Sequence, residues 1–422
     1  MQGVPSKASA DVILYARLPA LIFALRFMNV LIFHLHDMGR YCSPYGYPVP
    51  TPHMGTFARG ATVFRQAFSA APTCSPSRAA LLTGQTAHQS GMLGLLHRGF
   101  DLSDYSRHLG NYLKRNGYET AYAGVQHEFN PDSDQEIPYD RKLESPETCG
   151  RRDEQAACAA VEYLEGKGAE KRPFFLWIGM HDPHRPFLES DPAKRNPDYL
   201  QPPAPLPDTP ETRRDMADYM ETVEQADSRF GEVMAALGRN GLREKTLVIL
   251  TTDHGIAFPE MKCNLTHHGT GVALIVDYPG NPRRGEACDA LVSHLDIYPT
   301  VCELLGRERP PHLIGNSLKP LLDGKEESIR QDAFAEVNFH AGPSKSLLIS
   351  NGLGSDSSRD RVQLYDLTFD PQERRNLAEN PSYREVRLAL EKRLEAWMRQ
   401  TADPLLVGSV EAPSGARLDA RI

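Results

Sequence analysis

Four apolar runs along the chain end in the same way. Val30-Leu31-Ile32-Phe33, within Asn29–Leu35, runs into His36-Asp37-Met38-Gly39-Arg40, and residues 118–123 run into Gly124-Val125-Gln126-His127. Phe174–Gly179 leads to His181-Asp182-Pro183-His184, and residues 246–251 lead to Asp253-His254-Gly255. Short continuous apolar stretches bounded by glycine and proline read as strands buried on both faces, the pattern of a largely parallel sheet covered by helices. The spacing predicts one covering helix over 105–116. It predicts a longer one with Thr209 as N-cap and Pro210 at the first helical position, where Met216, Tyr219, Met220, Val223, Ala226, Phe230, Val233, Met234 and Leu237 recur every three or four residues. That stripe is core packing, and its methionines need no cofactor to explain them. The fold class expected is therefore α/β, a large central sheet flanked by helices. Ligand-type side chains at the carboxyl ends of successive strands mark the edge of such a sheet where ligands bind.

Composition narrows the class without changing it. The 422 residues are 40% apolar and 24% charged, which suits a soluble globular chain with one large domain and a smaller appendage. A net charge of −8 argues against nucleic acid as a general partner. The seven cysteines, Cys42, Cys74, Cys149, Cys158, Cys263, Cys288 and Cys302, are odd in number and scattered, unlike a disulfide framework. Residues 12–27 resemble a secretory apolar region, but Arg17 and Arg26 interrupt it, no small-residue cleavage site follows, and it is too short and charged to span a bilayer. The reading adopted is an extension over 1–27 produced by a misplaced start, a large domain over 28–323, a C-terminal α+β subdomain over 324–402 and a tail over 403–422. A helix is expected over 383–400, with Val386, Leu388, Leu390, Leu394 and Trp397 partly on one face, and Pro404 and Pro413 argue against packed structure beyond it. The location expected is the cytoplasm, with no membrane partner; the oligomeric state stays open.

One stretch carries the chemistry: Thr73-Cys74-Ser75-Pro76-Ser77-Arg78-Ala79-Ala80-Leu81-Leu82-Thr83-Gly84. Pro76 is tolerated in a first turn, the Ala/Leu run is strongly helical, and Gly84 can close the helix in the left-handed conformation. Cys74 is thus placed at a helix N-terminus, where unpaired N–H groups favour an anion and Arg78, one turn on, adds a fixed cation. A lone cysteine there is usually a packing residue. Asp37 and Asp253 each follow a buried strand and each stands beside a histidine, and four such groups around one point would hold a divalent cation. Taken singly, either aspartate reads as a cap and Lys262 as a solvated lysine.

Together these strings resemble the type I, formylglycine-dependent sulfatases, most of all the heparan N-sulfatase (sulfamidase) branch with its bacterial members. The resemblance runs from Met28 onward and takes in Thr51-Pro52-His53, His88-Gln89-Ser90-Gly91-Met92, His181-Asp182-Pro183-His184-Arg185, Gly255-Ile256-Ala257-Phe258-Pro259, Asn264-Leu265, Leu364-Tyr365-Asp366-Leu367 and Asn376-Leu377-Ala378. It implies an alkaline-phosphatase-like large central mixed sheet flanked by helices, oxidation of Cys74 to formylglycine by a separate generating enzyme, and a metal held by His36, Asp37, Cys74, Asp253 and His254. It implies catalytic roles for Arg78, His127, His184 and Lys262, with His181 and His340 at the substrate. The family usually shows Asp-Asp and Asp-Asn pairs binding calcium, whereas here the pairs are His36-Asp37 and Asp253-His254. Imidazole suits manganese or zinc better than calcium, so the ion stays open among the three. Two further departures stand out: Val125 replaces a sulfate-binding lysine, and residues 343–361 are shorter than the relatives' pocket wall.

The function this implies is hydrolysis of a sulfate ester or N-sulfate of a sulfated small molecule or glycan. The formylglycine hydrate would attack sulfur, His184 or Lys262 would protonate the leaving atom, and His127 would help collapse the sulfated intermediate. A phosphonate or phosphate diester hydrolase on the same scaffold, and a non-catalytic binder of sulfated glycans, are the alternatives.

Overall fold

The computed structural model describes residues 28–168, 170, 172–339, 349–350, 353–354, 362–413, 415 and 417–418. Eight strands form the main sheet: β1 (Asn29–Leu35), β2 (Thr62–Phe68), β3 (Glu119–Gly124), β4 (Arg141–Leu143), β5 (Phe174–Gly179), β6 (Thr246–Thr252), β7 (Leu274–Asp277) and β8 (Ala287–Ser293). Their order across the sheet is β4-β3-β5-β1-β6-β7-β2-β8. Only β7 runs antiparallel, to both β6 and β2. The chain leaves β1 toward β2 on one side and reaches β3 on the other, so β1, flanked by β5 and β6, marks the topological switch.

Every residue of β1, β5 and β6 is buried, as their unbroken apolar runs require. In β1, Val30 and Ile32 face one core layer and Leu31, Phe33 and Leu35 the other. The first layer is completed by α2 (Cys74–Thr83), α3 (Leu109–Arg115) and α6 (Ile297–Leu304). The second is completed by α1 (Pro52–Ala58), α4 (Arg152–Lys167) and α5 (Pro210–Arg239). Thr209 caps α5 by accepting from the Thr212 N–H, with Pro210 in the first turn, and the predicted stripe faces the sheet. The helix expected over 105–116 is broken: a 3-10 turn at Tyr105–Arg107 gives way to α3, because His108 turns extended and its Nδ1 accepts from the Gly110 N–H.

Glycine at the ends of β3 and β5 brings the site loops together. A side chain on Gly179 would put Cβ 1.8 Å from the Val125 carbonyl oxygen, and one on Gly124 (φ +76) would meet the Gly179 oxygen at 2.2 Å. Gly179→Ala therefore lowers stability by about 3 kcal/mol, through displaced backbone rather than a lost contact, as a urea titration will show.

The C-terminal helix α7 (Arg384–Gln400) has no buried residue; Val386, Leu388, Leu390 and Leu394 are exposed, and Trp397 stacks on Phe334 at 4.9 Å. The tail expected after Ala402 is corrected: Leu405, Val410 and Ala412 are buried in the first core layer, and Val410–Glu411 pairs antiparallel with Arg417–Leu418. Pro404 opens a short 3-10 turn capped by Asp403, so the proline that suggested disorder instead starts a packed element. Among the described residues, no helix is long and apolar enough to cross a membrane.

The C-terminal region is clamped to the large domain at His88. Its Nδ1 meets the Glu336 carboxylate at 2.9 and 3.0 Å while Nε2 donates to the Thr401 carbonyl at 3.2 Å, and Asp403 lies alongside. Burial works against the charged imidazole, but the Glu336 bond outweighs it and His88 titrates above its ordinary value. A folded-state value above the unfolded one gives stability that is complete below about pH 6.5 and is lost as pH rises through the folded value. Melting temperature measured from pH 6 upward will accordingly fall less steeply in His88→Gln than in the parent protein.

Candidate active site

Helix α2 begins at Cys74, with Thr73 extended before it and Gly84 (φ 64) closing it in the left-handed region. The whole helix is buried. Its first turn faces the ends of β1 and β6. Cys74 Sγ lies 3.1 Å from His36 Nε2, and Ser77 Oγ donates to the Asp253 carbonyl at 2.6 Å, tying the helix to the β6 loop. Arg78 is fully buried; its NH1 donates to the Val125 carbonyl at 3.1 Å and its NH2 lies 3.5 Å from Asp253 Oδ2.

His36, Asp37, Cys74, Asp253 and His254 each offer a ligand atom within 4.8 Å of the others, all buried. Asp37 takes a positive φ of 61° to turn off β1, a conformation disfavoured for residues with a side chain, and its N–H donates to Asp253 Oδ1 at 2.8 Å. His254 Nδ1 meets the Gly255 carbonyl at 2.9 Å; a carbonyl only accepts, so Nδ1 carries the proton and Nε2 keeps its lone pair. That Nε2 stands 3.3 Å from Asp37 Oδ1 and 3.6 Å from Asp253 Oδ1. His254 Nε2 and Asp253 Oδ2 are buried without a hydrogen-bond partner, a costly arrangement unless a cation completes it. Two carboxylates, two imidazoles and a sulfur fit a divalent ion.

Lys262 binds both oxygens of Asp37, at 3.0 and 2.8 Å, with a largely buried side chain. Burial works against its charge, but Cys74 and Asp37 outweigh that and hold it above the usual lysine range. Asp37 is raised by burial while Lys262 pulls it back. Asp253 resists the same burial because His254 and Arg78 hold its carboxyl well below the usual range. Burial pushes the Cys74 thiol far up, against the pull of Lys262.

His184 Nδ1 bonds the Arg185 carbonyl at 2.6 Å, leaving Nε2 3.8 Å from Asp37 Oδ2. Burial and then Lys262 push it down to about 4. His127 is pushed down to about 3 by burial, Arg78 and His97. Both imidazoles are thus neutral near pH 7. His181 and His184 rings lie 5.1 Å apart, and the His36 ring lies 4.5 Å from His184, 6.2 Å from His181 and 6.4 Å from His127.

The site residues expected from the sequence thus meet at one sheet edge, except His340, which lies outside the described residues together with 1–27 and most of 343–361. Sequence reasoning missed three supports. His97 stacks on His127 at 5.5 Å with Nδ1 3.3 Å from its Nε2. Asp153, at the start of α4, accepts from the His181 and Asp182 N–H groups at 2.8 and 2.7 Å. Glu128 is buried, pushed up to about 7 by burial, and accepts from the His127 N–H at 2.6 Å. Glu128 adjoins a singled-out histidine, which was its only signal; His97 and Asp153 had none.

With this geometry in view, the chain compares closely with known proteins. Human N-sulphoglucosamine sulphohydrolase is 29% identical over 459 aligned residues, covering 89% of this chain and 91% of that protein. The phosphonate monoester hydrolase of Agrobacterium radiobacter superposes with a TM-score of 0.68 at 21% identity, covering 94% of this chain and all of its own. BT4656 in complex with its substrate D-glucosamine-2-N,6-O-disulfate superposes with a TM-score of 0.70 at 18% identity, covering 89% and 98%. The fold is therefore the alkaline-phosphatase-like one expected. The sulfatase family model matches residues 29–307, which holds every strand of the sheet, the Cys74 helix and the buried acidic cluster: the chain belongs to the sulfatase family and is a sulfuric ester hydrolase.

Proposed function

We propose that this sulfatase removes an N-sulfate or O-sulfate from a sulfated amino sugar, with Cys74 in its formylglycine form as the nucleophile and a divalent ion held by His36, Asp37, Asp253 and His254. The observation that carries the reading is the buried Cys74 thiol at a helix start, 3.1 Å from an imidazole of the cluster. The likeness to N-sulphoglucosamine sulphohydrolase supports the choice of sugar. Because His254 turns its lone pair into the cluster, the ion favoured is manganese or zinc over calcium. When present, such an ion supplies Lewis-acid polarisation of a sulfate oxygen, and the aldehyde hydrate supplies the attacking hydroxyl.

The chain's own residues do the rest. Arg78 and Lys262 place fixed positive charge beside the sulfate, and each preorganised donor of this type contributes about 3 kcal/mol to the transition state. Lys262 keeps its proton and is the group able to give one to the leaving atom. His184 Nε2, unprotonated in the free site, is the alternative donor, once a bound anion raises its proton affinity and it takes a proton from solvent. His97 and Glu128 hold His127, and Asp153 holds the His181-Asp182 turn.

A second reading is favoured by histidine in both metal pairs and by Val125 in the lysine position: hydrolysis of a phosphonate monoester or phosphate diester. Sulfate or phosphonate release from N-sulfoglucosamine, glucosamine 6-sulfate, an aryl sulfate and an aryl phosphonate decides between them. Preference for a sugar sulfate is expected, and preference for the phosphonate overturns the proposal.

A further inference from the structure

A hollow of about 620 Å³ opens beside the Cys74 site, between the ends of β3 and β4 and the first turn of α4. The Val125 peptide belongs to both. Its residue lines the hollow, while its carbonyl accepts from Arg78 NH1 at 3.1 Å and from Trp177 Nε1 at 3.2 Å. Two residues on, His127 stands against His36.

The lining has the chemistry of an anionic sugar site. Lys142 and Arg152 contribute cations and Gln126 a carboxamide, while the Gln155 amide is engaged by the Gly150 carbonyl at 2.7 Å. Gln126 Oε1 accepts from the Glu128 and Phe129 N–H groups at 3.3 Å each, which turns its amide N–H groups outward as donors. Glu144, the carboxylate of the lining, is paired with Lys142 at 2.6 Å. The Arg152 guanidinium makes no hydrogen bond or ion pair among the described residues, and it sits at the positive end of a 16-residue helix. The acids of that first turn are committed elsewhere: Asp153 to the His181-Asp182 backbone, and Glu154 to the Arg151 N–H at 2.7 Å. A forked guanidinium without a partner, next to a lysine and the Gln126 amide, suits a carboxylate or sulfate on a pyranose.

We propose that this hollow binds the sugar next to the one being desulfated, through an anionic substituent held by Lys142 and Arg152, so that the substrate is at least a disaccharide. The inference rests on the sulfated-sugar reading for what occupies the Cys74 site. It explains how a chain with Val125 in place of a lysine keeps an anionic glycan: positive charge absent beside the scissile group is supplied by Lys142 and Arg152 in the adjoining hollow.

The test is the double variant Lys142→Ala/Arg152→Ala, assayed on N-sulfoglucosamine, on an N-sulfated disaccharide bearing a uronate, on the same disaccharide with its carboxyl reduced, and on that reduced form carrying an O-sulfate on the neighbouring sugar. KM for the uronate disaccharide or the O-sulfated one rises about tenfold, and which of them responds identifies the substituent; the monosaccharide and the reduced disaccharide are unchanged. An equal change on all substrates, or none on either anionic disaccharide, overturns the proposal. If no sugar sulfate is turned over, the functional reading fails by itself, and calorimetry with the two anionic disaccharides still reads the hollow: about tenfold weaker binding of one of them to the variant supports it, and equal affinity for both overturns it.

Discussion

Cys74→Ala abolishes turnover, by about 10⁵-fold or more, the scale on which removing a nucleophile acts. The fold survives, because losing one sulfur from a helix start costs about 1 kcal/mol. The loss is expected even though the side chain is not reactive as a thiol. Burial holds it protonated, and only a thiolate is a competent sulfur nucleophile. Activity should instead follow the fraction of Cys74 converted to the aldehyde, measured by mass analysis of the Cys74 peptide in preparations made with and without the generating enzyme. Sulfate release by Cys74→Ala at the parent rate would remove the nucleophile from the proposal, and activity independent of conversion would assign the chemistry to the cysteine itself.

Why so much of this site could be read beforehand is visible in where its residues fall. Asp37, His127, His184 and Asp253 each follow a buried strand, and an unbroken apolar run is the strongest local signal a sheet leaves. The Cys74 helix was legible because its start, its helical body and its closing glycine are all short-range features. The strand order was not legible. Placing β2 beside β7 depends on pairings across more than 200 residues, such as Thr62 with Val276, and nothing local encodes them. The supports were hidden for the same reason. Asp153 acts on His181 from 28 residues away, in the first turn of a helix where an acid is expected in any case. His97 has no periodic pattern around it, and its meaning appears only when the His127 ring lies flat against it. The tail was misread because proline counts against packing locally, whereas Leu405 and Val410 find their partners in a distant core layer.

Lys262 is where the electrostatics of the site are concentrated, and Lys262→Met is the second large effect expected. The side chain neutralises Asp37 through two bonds in a region where neither oxygen meets bulk water. Breaking such a pair from one side strands the other charge, at a cost of about 3 kcal/mol. A divalent ion on the cluster partly replaces the lost charge, so the stability deficit should shrink when manganese or zinc is added, as melting curves with and without the ion will show. Catalysis recovers less. The lysine also supplies positive charge to the sulfate and the leaving proton, and its loss lowers kcat/KM by about 10²- to 10³-fold even at saturating metal. The pH profile follows with a definite sign: removing the cation that does most to pull Asp37 down leaves burial less opposed, the carboxyl ionises at higher pH, and the acid limb of kcat/KM moves upward. Lys262→Arg keeps the charge, pairs with Asp37 through its fork and restores the acid limb, but a guanidinium does not give up its proton to the leaving atom, so kcat stays low. A Lys262→Met enzyme with parent kcat/KM and an unmoved acid limb would show that Asp37 is balanced by the metal alone and that the proton for the leaving atom comes from His184.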